Sequence, residues 1–301
     1  MTRGRFSRCR ILTHVTATKR TARDLEAAAA GTLPRIARPS VPPTEALAML
    51  SRRGLRPRLT APDLPFPAAM DETTAARVIE LLGHYAFRLF LRGAIQRADG
   101  FAPEDATSYV SAARARAFAD TLVTLGLAVR LPPNRVRLVV AASSFGGALE
   151  WYIGRELHRW LGFDVATGVK FHASGVGGDL DIVAAAEGKL VYLEMKSSPP
   201  KHLSEGEVHA FFERVDLVAP DLTLFVMDTA LRLGDKVVPM LLAGARQARG
   251  ASVPAPCRIA RDLWVLDRRV YVVNSKPDLL VNVGRAIADG FRDMASSSPH
   301  A

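Results

Sequence analysis

From Asp71 onward, the apolar positions of this 301-residue chain fall into regular periods. Val78, Leu81, Leu82, Tyr85, Leu89 and Phe90 follow Asp71-Glu72-Thr73-Thr74 at helical spacing, which predicts an amphipathic helix running to about Gln96. A second helical segment begins near Pro103-Glu104-Asp105, runs through Phe118, Leu122, Val123 and Leu125, and stops at Gly126. Leu127, Val129 and Leu131 then alternate, Pro132-Pro133-Asn134 turns the chain, and Val136, Leu138 and Val140 alternate back as a hairpin.

The period then changes. Leu149, Ile153, Leu157 and Trp160/Leu161 predict a helix between Ser143 and Gly162, with Glu150 beside its apolar stripe. A strand begins at Phe163-Asp164-Val165, and Val169 and Phe171 extend it. Gly175-Val176-Gly177-Gly178 leads into a further hairpin, Gly178–Lys196. Ser204-Glu205-Gly206-Glu207 is a capping box that starts a helix carrying Val208, Phe211, Phe212, Val215 and Leu217. Leu222–Met227 reads as a buried strand. A helix at 239–248, a hairpin around Asp267-Arg268-Arg269 and an amphipathic helix over Leu279–Met294 complete the chain. From Glu150 the order is helix, three strands, helix, strand.

Ahead of Asp71 the pattern is loose. Ala22–Ala30 and Thr44–Ser51 could each form a short helix between proline-rich stretches. The organisation expected is a basic, partly irregular arm at 1–68, a mainly helical unit closed by a hairpin at 69–141, and an α/β unit at 142–301 with a C-terminal hairpin and helix extension.

Charge sharpens this division. Residues 1–60 hold thirteen Lys and Arg against Asp24, Glu26 and Glu45, which accounts for the +10 of the whole chain. A basic arm on a neutral body suits nucleic acid; an arginine-rich segment with no dedicated partner is the alternative. Cys9 and Cys257 make neither a disulfide framework nor a metal-ligand spacing, so a reducing cytoplasm is expected. No apolar run is long enough for a membrane span, so no membrane partner is expected.

The Gly178–Lys196 hairpin carries the candidate chemistry. Glu187-Gly188 suits a two-residue turn between Ala186 and Lys189. Counting outward from that turn, Asp181 falls opposite Glu194 and Asp179 opposite Lys196. Alternation puts Val191, Leu193 and Met195 on one face, and Tyr192, Glu194 and Lys196 on the other. Opposed carboxylates about 5 Å apart destabilise a sheet and raise each other's pKa. A divalent cation bound through oxygen would compensate. The alternative is a hairpin with solvated charges on its outer face.

Glu150, Gly178-Asp179-Leu180-Asp181-Ile182-Val183-Ala184 and Glu194-Met195-Lys196, in that element order, resemble the PD-(D/E)xK nuclease superfamily. The resemblance covers about residues 145–230. It implies an α/β, restriction-endonuclease-like αβββαβ core with a mixed sheet, and a metal-dependent nuclease, with DNA the expected substrate. It further implies Mg²⁺ or Mn²⁺ on Asp181, Glu194 and the Met195 carbonyl, with Glu150 supporting the metal and Lys196 orienting or activating water. The superfamily's proline is absent, and Leu180 precedes Asp181 instead. The helices and hairpin of 69–141 resemble a winged-helix domain, which would place Arg114, Arg116, Arg130, Arg135 and Arg137 against nucleic acid; a plain helical packing unit is the alternative. Lys170 is a further candidate phosphate contact, and a homodimer is left open. The competing functions are a non-catalytic nucleic-acid-binding or regulatory protein, and a nuclease acting on RNA or branched DNA.

Overall fold

The computed structural model describes residues 44–171, 179–267 and 269–297. The expected arm up to residue 43 and the Gly175–Gly178 turn therefore lie outside the described residues. Thr44 opens helix α1 (Glu45–Arg52) by accepting a hydrogen bond from the Leu47 amide. Strand β1 (Arg58–Leu59) follows. Asp71 and Ser111 cap α2 (Glu72–Gly83) and α4 (Ala112–Thr124) in the same way. The single helix expected up to Gln96 is two helices. His84 adopts an extended backbone, and α3 (Tyr85–Ile95) starts anew beyond it. A hairpin of β2 (Ala128–Leu131) and β3 (Arg135–Leu138) closes this region.

The predicted order from Glu150 is present: α5 (Gly146–Leu161), β4 (Asp164–Lys170), β5 (Asp179–Ala186), β6 (Lys189–Lys196), α6 (Glu205–Val218) and β7 (Leu222–Met227). The chain continues through α7 (Val237–Arg249), β8 (Cys257–Ala260), β9 (Leu263–Leu266), β10 (Val270–Asn274) and α8 (Leu279–Ser297). One mixed eight-stranded sheet runs β1-β4-β5-β6-β7-β10-β9-β8. β7 is parallel to both β6 and β10, and every other neighbouring pair is antiparallel.

Alternation along the central strands sorts the core into two layers. On β6, Val191, Leu193 and Met195 join the cluster under α5, α8 and helices α2–α4. Leu190 and Tyr192 join the cluster under α1, α6 and α7. The protein is thus α/β with helices on both faces of a mixed sheet.

Two segments sit differently from the sequence expectation. Residues 44–60, expected in an irregular arm, pack on the sheet: α1 buries Ala46, Leu47, Met49 and Leu50 in the second cluster, and β1 pairs with β4. The helices of 69–141 share one continuous core with the sheet, since Leu82, Phe87 and Phe90 belong to the same cluster as Ile182, Leu193 and Tyr271. Asp228, fully buried just after β7, fastens the two. Its carboxylate accepts from Arg88 Nε at 3.0 Å and from Arg92 and Ser275.

Candidate active site

The hairpin ladder between β5 and β6 runs from Ala186↔Lys189 to Ile182↔Leu193, the register counted from the turn. There it stops. Asp181 does not continue the ladder; its carboxylate accepts a hydrogen bond from the Met195 amide at 2.6 Å. On the other side, β4 and β5 pair at Thr167↔Ile182 and Val169↔Leu180 but skip Gly168 and Asp181. Gly168 has φ +59°, a left-handed conformation that glycine tolerates and most residues do not. Leu180 and Ile182, two residues apart, consequently enter opposite core layers, whereas in a regular strand they would share a face. Asp181 sits at this break.

Glu194 is almost fully buried, at 3% exposure. Arg214 of α6 puts Nη2 2.9 Å from both its oxygens, the Tyr192 hydroxyl donates to it, and Lys196 Nζ lies 3.1 Å away. Lys196 also reaches Glu207 at 3.2 Å. Asp179 meets Lys170 at 3.4 Å. The sequence register had set Asp179 against Lys196; the break at Asp181 ends that register and leaves Asp179 with its neighbour on β4.

Electrostatics record the crowding. Burial, then the charges of Asp179 and Glu194, push the Glu150 carboxyl up to about 7. Burial, then Glu194 and Glu150, raise Asp181 well above the carboxylate range, against the pull of the Met195 amide and Lys196. Burial works against the Lys196 ammonium, but Glu194 and Glu207 leave its pKa raised. Among the described residues, Asp179, Glu194 and Glu207 form ion pairs with Lys170, Lys196 and Arg214. Among the described residues, no three Asp, Glu, His or Cys side chains gather tightly enough to cage a metal ion alone.

The sequence pattern showed Glu207 only as the capping-box acid of α6 and did not single out Arg214. The signal for Arg214 was present: in the α6 stripe of Val208, Phe211, Phe212, Val215 and Val218 it is a charge among buried apolar neighbours, the same anomaly that singled out Glu150. The arginines proposed for nucleic acid sit elsewhere. Arg114 lies over the Phe118 ring, Arg116 pairs with Glu104, Arg130 pairs with Asp120, and Arg135 donates to the Gly100 carbonyl. Arg137 is exposed and forms no ion pair among the described residues.

No known family model matches the chain, and no curated protein matches it. Among solved structures, it is similar to protein VC1899 from Vibrio cholerae, with a TM-score of 0.43 and 14% identity over 67% of this chain and 55% of that one. It is also similar to Can2 from Sulfobacillus thermosulfidooxidans, solved with cyclic tetra-adenylate, with a TM-score of 0.42 and 14% identity over 80% of this chain and 60% of that one. The chain thus spans little more than half the length of either. Likeness this shallow transfers neither fold nor function.

Proposed function

We propose that the chain is a metal-dependent nuclease that hydrolyses phosphodiester bonds, with DNA as its expected substrate, at a site of the PD-(D/E)xK kind. The observation that carries this is the gathering of Glu150, Asp181 and Glu194 beside Lys196, where β5 leaves its ladder. A fold gains nothing in stability from carboxylates held close enough to raise each other's pKa.

The donor set fits a hard cation. Magnesium takes one or two carboxylates and fills its shell with water and substrate oxygens, so a complete protein cage is not required. A strand residue's N–H and C=O leave by the same edge. The Met195 amide meets Asp181, so its carbonyl turns the same way, whereas the Lys196 carbonyl accepts from Asp228 on the other edge. Asp181, Glu150 and the Met195 carbonyl would hold Mg²⁺ or Mn²⁺, and Glu194 would join them by sharing oxygens now given to Arg214 and Lys196. When bound, the ion supplies Lewis-acid polarisation of the phosphate.

The protein's own groups do the rest. Lys196 stays protonated, so it orients water and meets phosphate charge as a donor. Glu150, pushed up to about 7 by burial and by the charges of Asp179 and Glu194, is a carboxyl whose charged form a bound cation would favour. The Phe101↔Val136 bridge beside the β2–β3 hairpin, with α3 and α4, supports a winged-helix-like module. Arg114 and Arg137, both exposed, would be its contacts to nucleic acid.

One observation favours a second reading, a non-catalytic nucleic-acid-binding protein: Arg214, Lys196 and Tyr192 already satisfy Glu194. The test is incubation of the full chain with plasmid and single-stranded DNA, with Mg²⁺, Mn²⁺ or EDTA, beside Lys196→Ala. Metal-dependent cleavage that falls about 100-fold or more in the variant is expected. DNA binding without cleavage would leave the second reading standing.

A further inference from the structure

Arg232, Arg258 and Arg261 line a cavity of about 300 Å³ with Gly234, Asp235, Asp262 and Trp264. None of the three arginines forms an ion pair among the described residues, although two carboxylates line the same cavity. Arg258 is held in place: its guanidinium lies 5.7 Å over the Trp264 ring, and its Nε donates to the Ala260 carbonyl at 3.2 Å. Its terminal N–H groups have no hydrogen-bond partner among the described residues. The Arg232–Asp235 loop presses on the indole, since a Cβ on Gly234 would lie 3.2 Å from Trp264 Cζ2. The indole Nε1 beneath is buried with no partner among the described residues.

The cavity is in register with the carboxylate cluster. Glu194 pairs across to Phe225, Phe225 to Val272, Val272 to Trp264, and Trp264 to Arg258. Partners across a sheet share a face, and neighbouring strands lie about 4.8 Å apart. Arg258 therefore stands about 19 Å from Glu194, with Phe225 and Val272 between them buried in the layer under α6 and α7, so a strand that reaches both passes around those helices, a path of at least about six nucleotides.

We propose that this cavity binds a backbone phosphate of the nucleic-acid strand whose scissile bond lies at Glu150, Asp181 and Lys196; the inference rests on the nuclease reading. Guanidinium forks match phosphate geometry and can bind it bidentately. Three arginines against two carboxylates leave one net positive charge. That balances the single charge of a phosphodiester better than the double charge of a free phosphate or a mononucleotide.

The test is the anisotropy of a labelled 12-nucleotide single-stranded DNA on the full chain in EDTA, so that binding is read without cleavage. The variants are the triple substitution Arg232→Ala, Arg258→Ala and Arg261→Ala, the single reversal Arg232→Glu, and a control triple Arg52→Ala, Arg77→Ala and Arg292→Ala. The control removes the same charge from ion-paired surface arginines. Thermal melting checks that each variant folds, and the single reversal carries the test if the triple does not.

The expected result is affinity weakened about tenfold or more, with a salt dependence shallower by about 0.7 in log–log slope, as the loss of one phosphate contact on a single strand requires. The control should bind as the wild type does, and millimolar inorganic phosphate or AMP should fail to compete. An unchanged slope in the cavity variants, an equal loss in the control, or preferential competition by AMP would overturn the proposal. If the wild type binds and cuts while the cavity variants bind equally well, the cavity assignment alone fails. If the wild type binds no nucleic acid, both readings fail.

Discussion

Arg214 lies with one guanidinium nitrogen 2.9 Å from each oxygen of Glu194, and both residues are at least nine-tenths buried. Removing one member of a buried pair leaves the other charged and without its counterion, at about 3–5 kcal/mol. Arg214→Gln should therefore destabilise the protein by about 3 kcal/mol in urea unfolding. Arg214→Lys, which keeps the charge but not the fork, should recover part of it. A loss under 1 kcal/mol for Arg214→Gln would mean that Lys196 and Tyr192 suffice to neutralise Glu194.

Glu150 gives a pH dependence of definite sign. Its carboxyl, ordinarily at 4.5, titrates near 7 in the folded protein. Between those values the native state keeps a proton that the unfolded chain has lost. The contribution of Glu150 therefore declines as pH rises from about 4.5 to 7, and above that it is a constant penalty of about 3 kcal/mol. Glu150→Gln should be more stable than wild type by about this amount at pH 8, and by nothing at pH 4, when both are unfolded with urea in EDTA. Equal gaps at the two pH values would show that Glu150 does not titrate in this window.

The helix–strand order around the site, and the two faces of β6, were legible because periodicity is a local property. Tyr192 and Leu193 enter opposite core layers as their alternation requires. The break at Asp181 was not legible, because its cause is on another strand: Gly168 on β4 carries the positive φ. The packing of Thr44–Thr60 was hidden for a related reason. Its pairing partner, Val169–Lys170, lies more than a hundred residues away, and arginine-rich composition pointed to a loose arm. Glu150 was readable as an acid beside an apolar stripe, and the same test applied to α6 would have found Arg214.

Gly168 tests the link between backbone and site. An alanine there would hold a left-handed conformation, and its Cβ would approach Thr60 Oγ1 to 3.0 Å. That oxygen already donates to the Gly168 carbonyl at 2.8 Å. Gly168→Ala should lose about 1–2 kcal/mol. It should also move Asp181, so metal-dependent cleavage should fall further than in an equally destabilised variant far from the site. Ile287→Val, a buried position on α8, serves as that comparison. A parallel fall in both would reduce Gly168 to a structural glycine.

Asp228 ties helix α3 to the sheet beside the site, and its charge should matter more than its shape. The carboxylate is fully buried against Arg88, itself 1% exposed, and against Arg92 and Ser275. Arg88 also donates to the carbonyls of Leu82 and Gly83 at 2.6 and 3.1 Å, so one side chain holds both the end of α2 and the end of β7. Asp228→Asn keeps the volume and removes the anion, leaving two guanidinium groups facing one another with no carboxylate between them. The expected loss is about 3–5 kcal/mol. Adding Arg88→Met should restore part of it, because the uncompensated buried charge is then gone. Hydrogen exchange offers the sharper measurement. If Asp228 fastens helices and sheet into one cooperative unit, amides of α3 and β7 should lose protection together in the single variant and regain it together in the double. Loss confined to β7 would show that the shared apolar core of Leu82, Phe87 and Phe90 holds the helices without the charge.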